Sequence, residues 1–186
     1  MTIYRRGYFV ILIGLLLGFK VWSQSETSEE NAQALPRTYR ELSLGMSLDA
    51  LKESLKKDEL FRFRGDRDVS FLPAREQNLV ETTGLSFIKR AFFQLKDGQV
   101  FVMAFTLNTA LVDYYSVFTS FVKKYGEPGV LDPKQAVWES EETKVAIERP
   151  LTIKYIDMQV FNALHTESKA AESSELRMRE DFLNDF

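Results

Sequence analysis

The stretch AFFQLKDGQVFVMAFTL, residues 91–107, carries the clearest structural signal in the chain. Its two halves are rich in aromatic and β-branched residues, which favour extended strands, and Asp97-Gly98 between them suits a tight two-residue turn. The stretch therefore predicts a β-hairpin with strands at residues 91–95 and 100–107.

A two-residue turn also predicts the register of this hairpin, because neighbouring side chains on a strand point to opposite faces. Leu95 then lies opposite Val100, and Phe93 lies opposite Val102. The first face, which is suited to packing helices, contains Ala91, Phe93, Leu95, Val100, Val102 and Ala104. The second face contains Arg90, Phe92, Gln94, Phe101, Met103 and Phe105.

The aromatic second face leaves two interpretations open. Apolar strands are usually buried, so residues 60–80 or the C-terminal tail would cover this face as ordinary core. Alternatively the face is exposed, and exposed apolar patches mark sites of interaction. In that case the candidate interaction surface consists of Phe92, Phe101, Met103 and Phe105.

Two amphipathic helices flank the hairpin in the sequence. The first starts at the cap residue Ser47 and has leucines three and four positions apart, at Leu48, Leu51 and Leu55. The second extends over about residues 112–125, where Gly126 and Pro128 end it. Further strands are predicted at residues 136–139, 144–149 and 152–157.

The order of these elements indicates the fold class. Strands joined by short turns, with only two helices among them, do not supply the crossovers that a parallel sheet needs. We therefore expect a two-layer α+β domain, an antiparallel β-sheet with two main helices packed on one face. A helix followed by strands occurs twice, at residues 47–107 and 112–157, so an internal α-β-β duplication is compatible with the pattern.

The N-terminal residues have the layout of a secretory signal peptide, because Arg5 and Arg6 precede an apolar run at residues 8–19 and the small residue Ser23 follows. The run of about 12 residues is shorter than the roughly 20 that span a bilayer as a helix. We expect an exported protein of the periplasm, with the extracellular space as the alternative, and no stable membrane span. The expected segments are a signal peptide at 1–23, a disordered polar leader at 24–41, a single α+β domain at 42–164 and a charged C-terminal tail or marginal helix at 165–186.

Composition excludes several chemistries. The chain has no cysteine and one histidine, His165, so thiol nucleophiles and histidine-rich metal sites are ruled out. Its glycines are dispersed and form no phosphate-binding loop. The formal net charge of -3 argues against nucleic acid as a partner. We expect no catalytic residue, no cofactor and no metal.

The segment Leu44-Gly45-Met46-Ser47, followed by a helix and then by antiparallel strands, resembles the small α+β module of the BamE or SmpA outer-membrane assembly proteins. The resemblance covers the helix and the start of the hairpin. It implies a helix-on-sheet fold, residence in the bacterial envelope and a supporting role in a larger complex without catalysis. The chain lacks the cysteine that carries the lipid anchor in that family, so only the fold and the envelope setting are carried over.

Two functions of different class follow from these observations. The first is a non-enzymatic envelope module that binds another protein in an assembly or scaffold. The second is a binder of a small apolar or lipidic ligand, held between the helices and the aromatic sheet. A closed core favours the first function, whereas an enclosed cavity favours the second.

We predict that the exported protein begins near Gln24, because the apolar run is too short to serve as an anchor. Mass spectrometry of protein recovered from the envelope fraction measures this directly. Membrane-bound material that still begins at Met1 would contradict the prediction.

Overall fold

The protein is described here from a computed structural model, which covers residues 34–72 and 77–184. The predicted signal peptide at 1–23 and residues 24–33 of the predicted leader lie outside the described residues, as do residues 73–76 and 185–186. In the described part of the chain, no helix is both long and apolar enough to cross a membrane.

The elements follow the chain in two similar series. A short hairpin comes first, with strands β1 (Thr38–Tyr39) and β2 (Leu42–Ser43). Helix α1 (Leu48–Lys57) and a 3-10 turn at Gly65–Asp68 precede β3 (Val69–Leu72), β4 (Gln77–Thr83), β5 (Ile88–Lys96) and β6 (Gln99–Leu107). Helix α2 (Tyr114–Tyr125) precedes β7 (Val130–Leu131), β8 (Gln135–Glu139), β9 (Thr143–Glu148) and β10 (Thr152–Asp157). The last element is α3 (Met158–Asn184).

Strands β3 to β10 form one eight-stranded antiparallel sheet in the order β3-β4-β5-β6-β10-β9-β8-β7. This confirms the predicted α+β class. Each series contributes four consecutive strands, and the last strand of one, β6, pairs with the last strand of the other, β10. The strand order is therefore symmetrical about the β6–β10 pair, as expected for a sheet made of two equivalent halves. Each half contains a helix and four strands, two more than the α-β-β unit that the sequence suggested.

The predicted hairpin forms, but its register differs from the two-residue turn pattern beyond the first pair. Leu95 does pair with Val100, as expected. The next pair is Gln94 with Val102, so Phe101 is an extra residue on β6 without a partner on β5. Such a bulge reverses which side chains of the strand face the core. Phe93 consequently lies opposite Met103 rather than Val102, and Ala91 lies opposite Phe105.

The core fills the layer between the sheet and the first two helices. Leu51 and Leu55 of α1 and Val117 of α2 belong to one cluster with the inward side chains of the sheet. Its centre is Phe105, which is 1% exposed. Four rings surround it, with centroid distances of 4.5 Å to Tyr39, 6.3 Å to Phe61, 5.8 Å to Phe93 and 6.1 Å to Tyr155. Both helices therefore cover the same face, as predicted.

Helix α2 is attached to the second half of the sheet through Trp138 on β8. The indole ring lies 6.1 Å from Phe118 and 5.6 Å from Phe121, centroid to centroid. Its Nε1 donates a hydrogen bond of 2.8 Å to the carbonyl of Gly126, at the end of α2. This bond satisfies the only polar atom of a large buried side chain, so Trp138 fixes the position of the helix as well as filling the core.

The residues just before α1 belong to the fold, although the sequence placed them in a disordered leader that extends to residue 41. Tyr39 packs on Phe105, and Arg37 donates to the carboxylate of Asp157 and to the carbonyl of Glu142. Asp157 also accepts the backbone N–H groups of Gln159 and Val160, at 3.0 and 3.1 Å, and so caps the start of α3. This correction arises because few of these residues are apolar, and the segment is held by the contact of Tyr39, the guanidinium groups of Arg37 and Arg40, and the β1–β2 pairing.

Helix α3 includes residues 165–184, for which the sequence predicted either a charged tail or a marginal helix. Its side chains are largely exposed after Met158, which is buried at its start. From Glu167 onward, charged residues recur along the helix and leave no continuous apolar stripe to pack on the sheet.

We predict that the ion pair between Arg37 and Asp157 makes the free energy of unfolding depend on pH. Partial burial alone would raise the pKa of Asp157, but hydrogen bonds from Arg37 and from the start of α3 outweigh it and lower that pKa. A carboxylate whose pKa is lowered by folding stabilises the fold above its unfolded pKa, about 4, and that contribution disappears as the pH falls through the folded pKa. Asp157→Asn keeps a good helix cap but removes the charge.

Urea denaturation of Asp157→Asn at pH 7 should show a loss of about 1.5 to 3 kcal/mol, the range for hydrogen bonds to charged groups. The difference from the parent protein should shrink as the pH is lowered below 4. Arg37→Ala combined with Asp157→Asn should cost less than the sum of the single changes, because both remove the same pair. A difference that is constant between pH 7 and pH 3 would contradict the prediction.

Candidate interaction surface

The candidate interaction surface, one of the two interpretations that the sequence left open, is not an exposed face. Phe101, Met103 and Phe105 are 4%, 0% and 1% exposed, and Phe92 is half-buried. The bulge at Phe101 is the physical reason, since it turns Met103 and Phe105 toward the helices. Phe92 lies on the outer face, beside Val102 and Ala104, and Phe101 is buried without belonging to the core cluster of Met103 and Phe105.

Other residues that the sequence singled out show no assembled chemistry. His165 lies on α3, exposed, with its ring 6.5 Å from that of Phe161. Glu141 and Glu142 are exposed in the turn between β8 and β9, and Glu139 pairs with Lys144 at 3.1 Å. Within residues 34–72 and 77–184, no three metal-ligating side chains are grouped closely enough to hold an ion.

The antiparallel order gathers several loops at one end of the sheet, which we call the loop end. It comprises the connections at residues 84–87, 108–113, 132–134 and 149–151, because these join or follow the strand ends that lie side by side in the sheet. The opposite end contains the Asp97-Gly98 turn and the start of α3.

Hydrogen bonds between neighbouring connections hold the loop end together. The N–H of Asn108 donates to the carbonyl of Phe87 at 2.8 Å, and the amide side chain of Asn108 donates to Ser86 at 3.3 Å. Arg149 donates its N–H to the carbonyl of Lys134 at 2.8 Å. Gly84 allows the chain to approach Ile88 closely at the β4–β5 connection, since a Cβ there would lie 2.4 Å from the carbonyl oxygen of Ile88. The loops therefore form a fixed platform.

This platform exposes apolar side chains that the core does not use. We define the loop-end face as four residues with exposed fractions of 53% at Phe87, 54% at Leu111, 74% at Tyr115 and 63% at Leu131. Tyr115 and Leu131 line one cleft, and exposed apolar side chains that lie together are a usual mark of an interaction site, because burial by a partner removes apolar surface from water.

One part of the loop-end face forms a cleft of about 440 Å³ between α2 and β7. Tyr115, Phe118 and Leu131 supply apolar surface, and Tyr114, Asp113, Asp132 and Arg149 complete the lining. The guanidinium carbon of Arg149 lies 4.1 Å from the centre of the Tyr114 ring, a close cation-π contact. A second, more polar cleft of about 400 Å³ is lined by Thr83, Ser86, Lys89, Asn108 and Pro150 among others.

The two carboxylates of the aromatic cleft are engaged in local structure. Asp113 caps α2 by accepting the N–H of Ser116 at 2.9 Å and its hydroxyl at 2.6 Å, and these bonds lower the pKa of Asp113. Asp132 accepts the N–H groups of Lys134 and Gln135 at 2.7 and 3.0 Å, and the first of these bonds makes the largest contribution to lowering the pKa of Asp132. Both groups are therefore ionised at neutral pH and directed to backbone donors.

The model of the TP0088 domain family matches residues 37–167. The chain belongs to the TP0088 domain family. No curated protein and no solved structure was found to match it. The matched TP0088 domain includes Arg37 and Asp157 as well as every residue of the loop-end face, whereas most of α3 lies beyond it.

We predict that Phe101→Asp unfolds or severely destabilises the TP0088 domain. Phe101 is buried, so the substitution places a charge without a partner in an apolar environment, which should cost more than about 3 kcal/mol. The control Gln94→Asp changes an exposed position on the neighbouring strand and should cost less than about 1 kcal/mol. Urea denaturation compares the two, and equal small losses would show that Phe101 is accessible to water.

Proposed function

We propose that this member of the TP0088 domain family is an exported, non-enzymatic module of the bacterial envelope that binds another protein through its loop-end face. The observation that supports the proposal is the set of exposed apolar residues at the loop end: Phe87 and Leu111 on loops fixed by hydrogen bonds, Tyr115 at the start of α2 and Leu131 at the end of β7. A rigid surface loses little conformational entropy on binding, so its buried apolar area contributes directly to affinity.

The filled core favours this function over the binding of a small apolar ligand between the helices and the sheet. Five aromatic rings centred on Phe105 occupy the middle of that layer. A ligand there would have to displace packed side chains, and loss of such packing costs several kcal/mol.

The absence of catalysis and the envelope setting are both parts of the proposal. The chain has no cysteine, and its one histidine is exposed on α3, so the proposal expects neither a thiol nucleophile nor a histidine base. The envelope setting is supported by the signal-peptide pattern at residues 1–23. The resemblance of residues 44–47 and the helix after them to BamE or SmpA modules supports it too.

Site-specific photocrosslinking in cells tests the proposal. A photoreactive residue at Tyr115 or Leu131 should form an adduct with one discrete protein, because both side chains are exposed on the loop-end face. The matched control is Phe71, which is 62% exposed but lies on β3 at one edge of the sheet. It should give no such adduct.

The captured protein is then purified and its affinity measured directly. Leu131→Asp should weaken binding at least tenfold, as is usual for a central contact residue, and should leave the melting temperature within a few degrees of the parent. Adducts from the Phe71 position alone, or unchanged affinity of Leu131→Asp, would reject the loop-end face as the binding surface.

A further inference from the structure

The polar cleft at the loop end contains a positive charge that the fold does not use. The cleft has a volume of about 400 Å³, and Lys89 is the one charged residue among the described residues that line it. The next residue along the chain, Arg90, pairs with Glu81 at 3.2 Å on the outer face of the sheet. Lys89 itself forms neither an ion pair nor a side-chain hydrogen bond with any residue of the described chain.

Other polar groups of the cleft also keep unused hydrogen-bonding capacity. The hydroxyl groups of Thr83, Ser86 and Thr109 line the cleft and make no hydrogen bond within residues 34–72 and 77–184. Asn108 differs, because its amide nitrogen donates to the carbonyl of Ser86 and its Oδ1 accepts the N–H of Ala110 at 3.2 Å. An ammonium group donates three hydrogen bonds and a hydroxyl donates one. The cleft therefore offers several donors around a single positive charge, and an oxygen anion is the group that matches it.

Two residues of the loop-end face lie on the loops that form this cleft. Phe87 lies between Ser86 and Ile88, which both line the cleft, and its carbonyl accepts the N–H of Asn108 at 2.8 Å. Leu111 lies on the next loop, where its N–H donates to the carbonyl of Asn108 at 2.9 Å. A partner that buries Phe87 and Leu111 consequently also removes water from the mouth of the cleft.

Removal of this water limits what the partner can place there. An ammonium group that leaves water without a counter-charge costs much more free energy than a neutral donor does. None of the described residues that line the cleft has a carboxylate that could supply the counter-charge. A partner that covers this part of the loop-end face therefore binds more tightly when it brings an anion of its own to Lys89.

We propose that the partner protein places an aspartate or glutamate side chain in the polar cleft. Its carboxylate pairs with Lys89 and accepts hydrogen bonds from the hydroxyl groups of the cleft, while neighbouring apolar side chains of the partner cover Phe87 and Leu111. This inference rests on the proposed protein-binding function and specifies the charge that the partner presents at one place on the loop-end face.

A zero-length cross-linker tests this contact directly. The carbodiimide EDC condenses a carboxylate and a lysine amine into an amide where the two groups touch. After treatment of the envelope fraction that contains the exported chain, mass spectrometry of its digested adducts should show an amide between Lys89 and an acidic residue of the partner. The matched control is Lys169, an exposed lysine of α3 at the opposite end of the sheet, which should give no such amide. The isolated chain should give no amide at Lys89, because the cleft has no carboxylate of its own.

Three variants measure what the contact contributes to affinity for the purified partner. Lys89→Glu should weaken binding by about tenfold or more, because it sets two like charges against each other in the cleft. Lys89→Arg keeps the charge and should stay within about threefold of the parent. Lys169→Glu makes the same change in net charge away from the cleft and should leave the affinity unchanged. All three positions are exposed in the unbound chain, so the melting temperatures should remain within a few degrees of the parent.

No amide at Lys89, an unchanged affinity of Lys89→Glu, or an equal loss in Lys169→Glu would each overturn the proposal. A loss in Lys89→Glu without any amide at Lys89 would overturn it too, since the group that meets the lysine would then not be a carboxylate. If photocrosslinks form at Tyr115 or Leu131 while these tests fail, the protein-binding function stands and only the charge assigned to the partner is wrong. If no photocrosslink forms, both proposals are wrong.

Discussion

The single extra residue in β6 determines which side chains make the core. Phe101 has no partner on β5, and this shifts the rest of β6 by one position, so that Met103 and Phe105 lie under the helices. Phe105 then meets Tyr39 from the N-terminal segment, Phe61 from the loop after α1 and Tyr155 from β10. Without the bulge, alternation would place Val102 and Ala104 there, and their smaller side chains would not reach all three rings.

Local signals in the sequence were sufficient to predict helices α1 and α2, the strands β5, β6, β8, β9 and β10, and the class of the fold. Helix α1 lies at the predicted residues because Ser47 accepts the N–H of Ala50, and α2 ends at Gly126, whose φ is 76°. The turn at Asp97-Gly98 also has both φ angles positive, as that dipeptide favours. Each of these features depends on residues that are close in sequence, so each can be predicted without knowledge of the tertiary structure.

The register and the surface were beyond such reasoning because they depend on distant parts of the chain. Ile153 pairs with Phe105 across the join of the two halves, and that pairing has no signal near residue 101. The short strand β1 was likewise missed, since a partner at residue 157 holds its neighbour Arg37. For the loop-end face, a usable signal was present, namely apolar residues such as Phe87 and Leu111 in segments between predicted elements. Only the fold shows that these segments meet at one end of the sheet.

The two ends of the sheet differ in the contacts that they contain. At one end, the Arg37 to Asp157 pair joins the N-terminal segment to the start of α3, using charge and backbone hydrogen bonds. At the other, hydrogen bonds hold the loops while apolar side chains stay exposed. A partner bound at the loop-end face would leave the charged pair intact, because β10 separates the two ends over its whole length of six residues. The fold thus keeps the contacts that stabilise its termini apart from the surface proposed to bind, so substitutions at that surface can be tested for binding without loss of the fold.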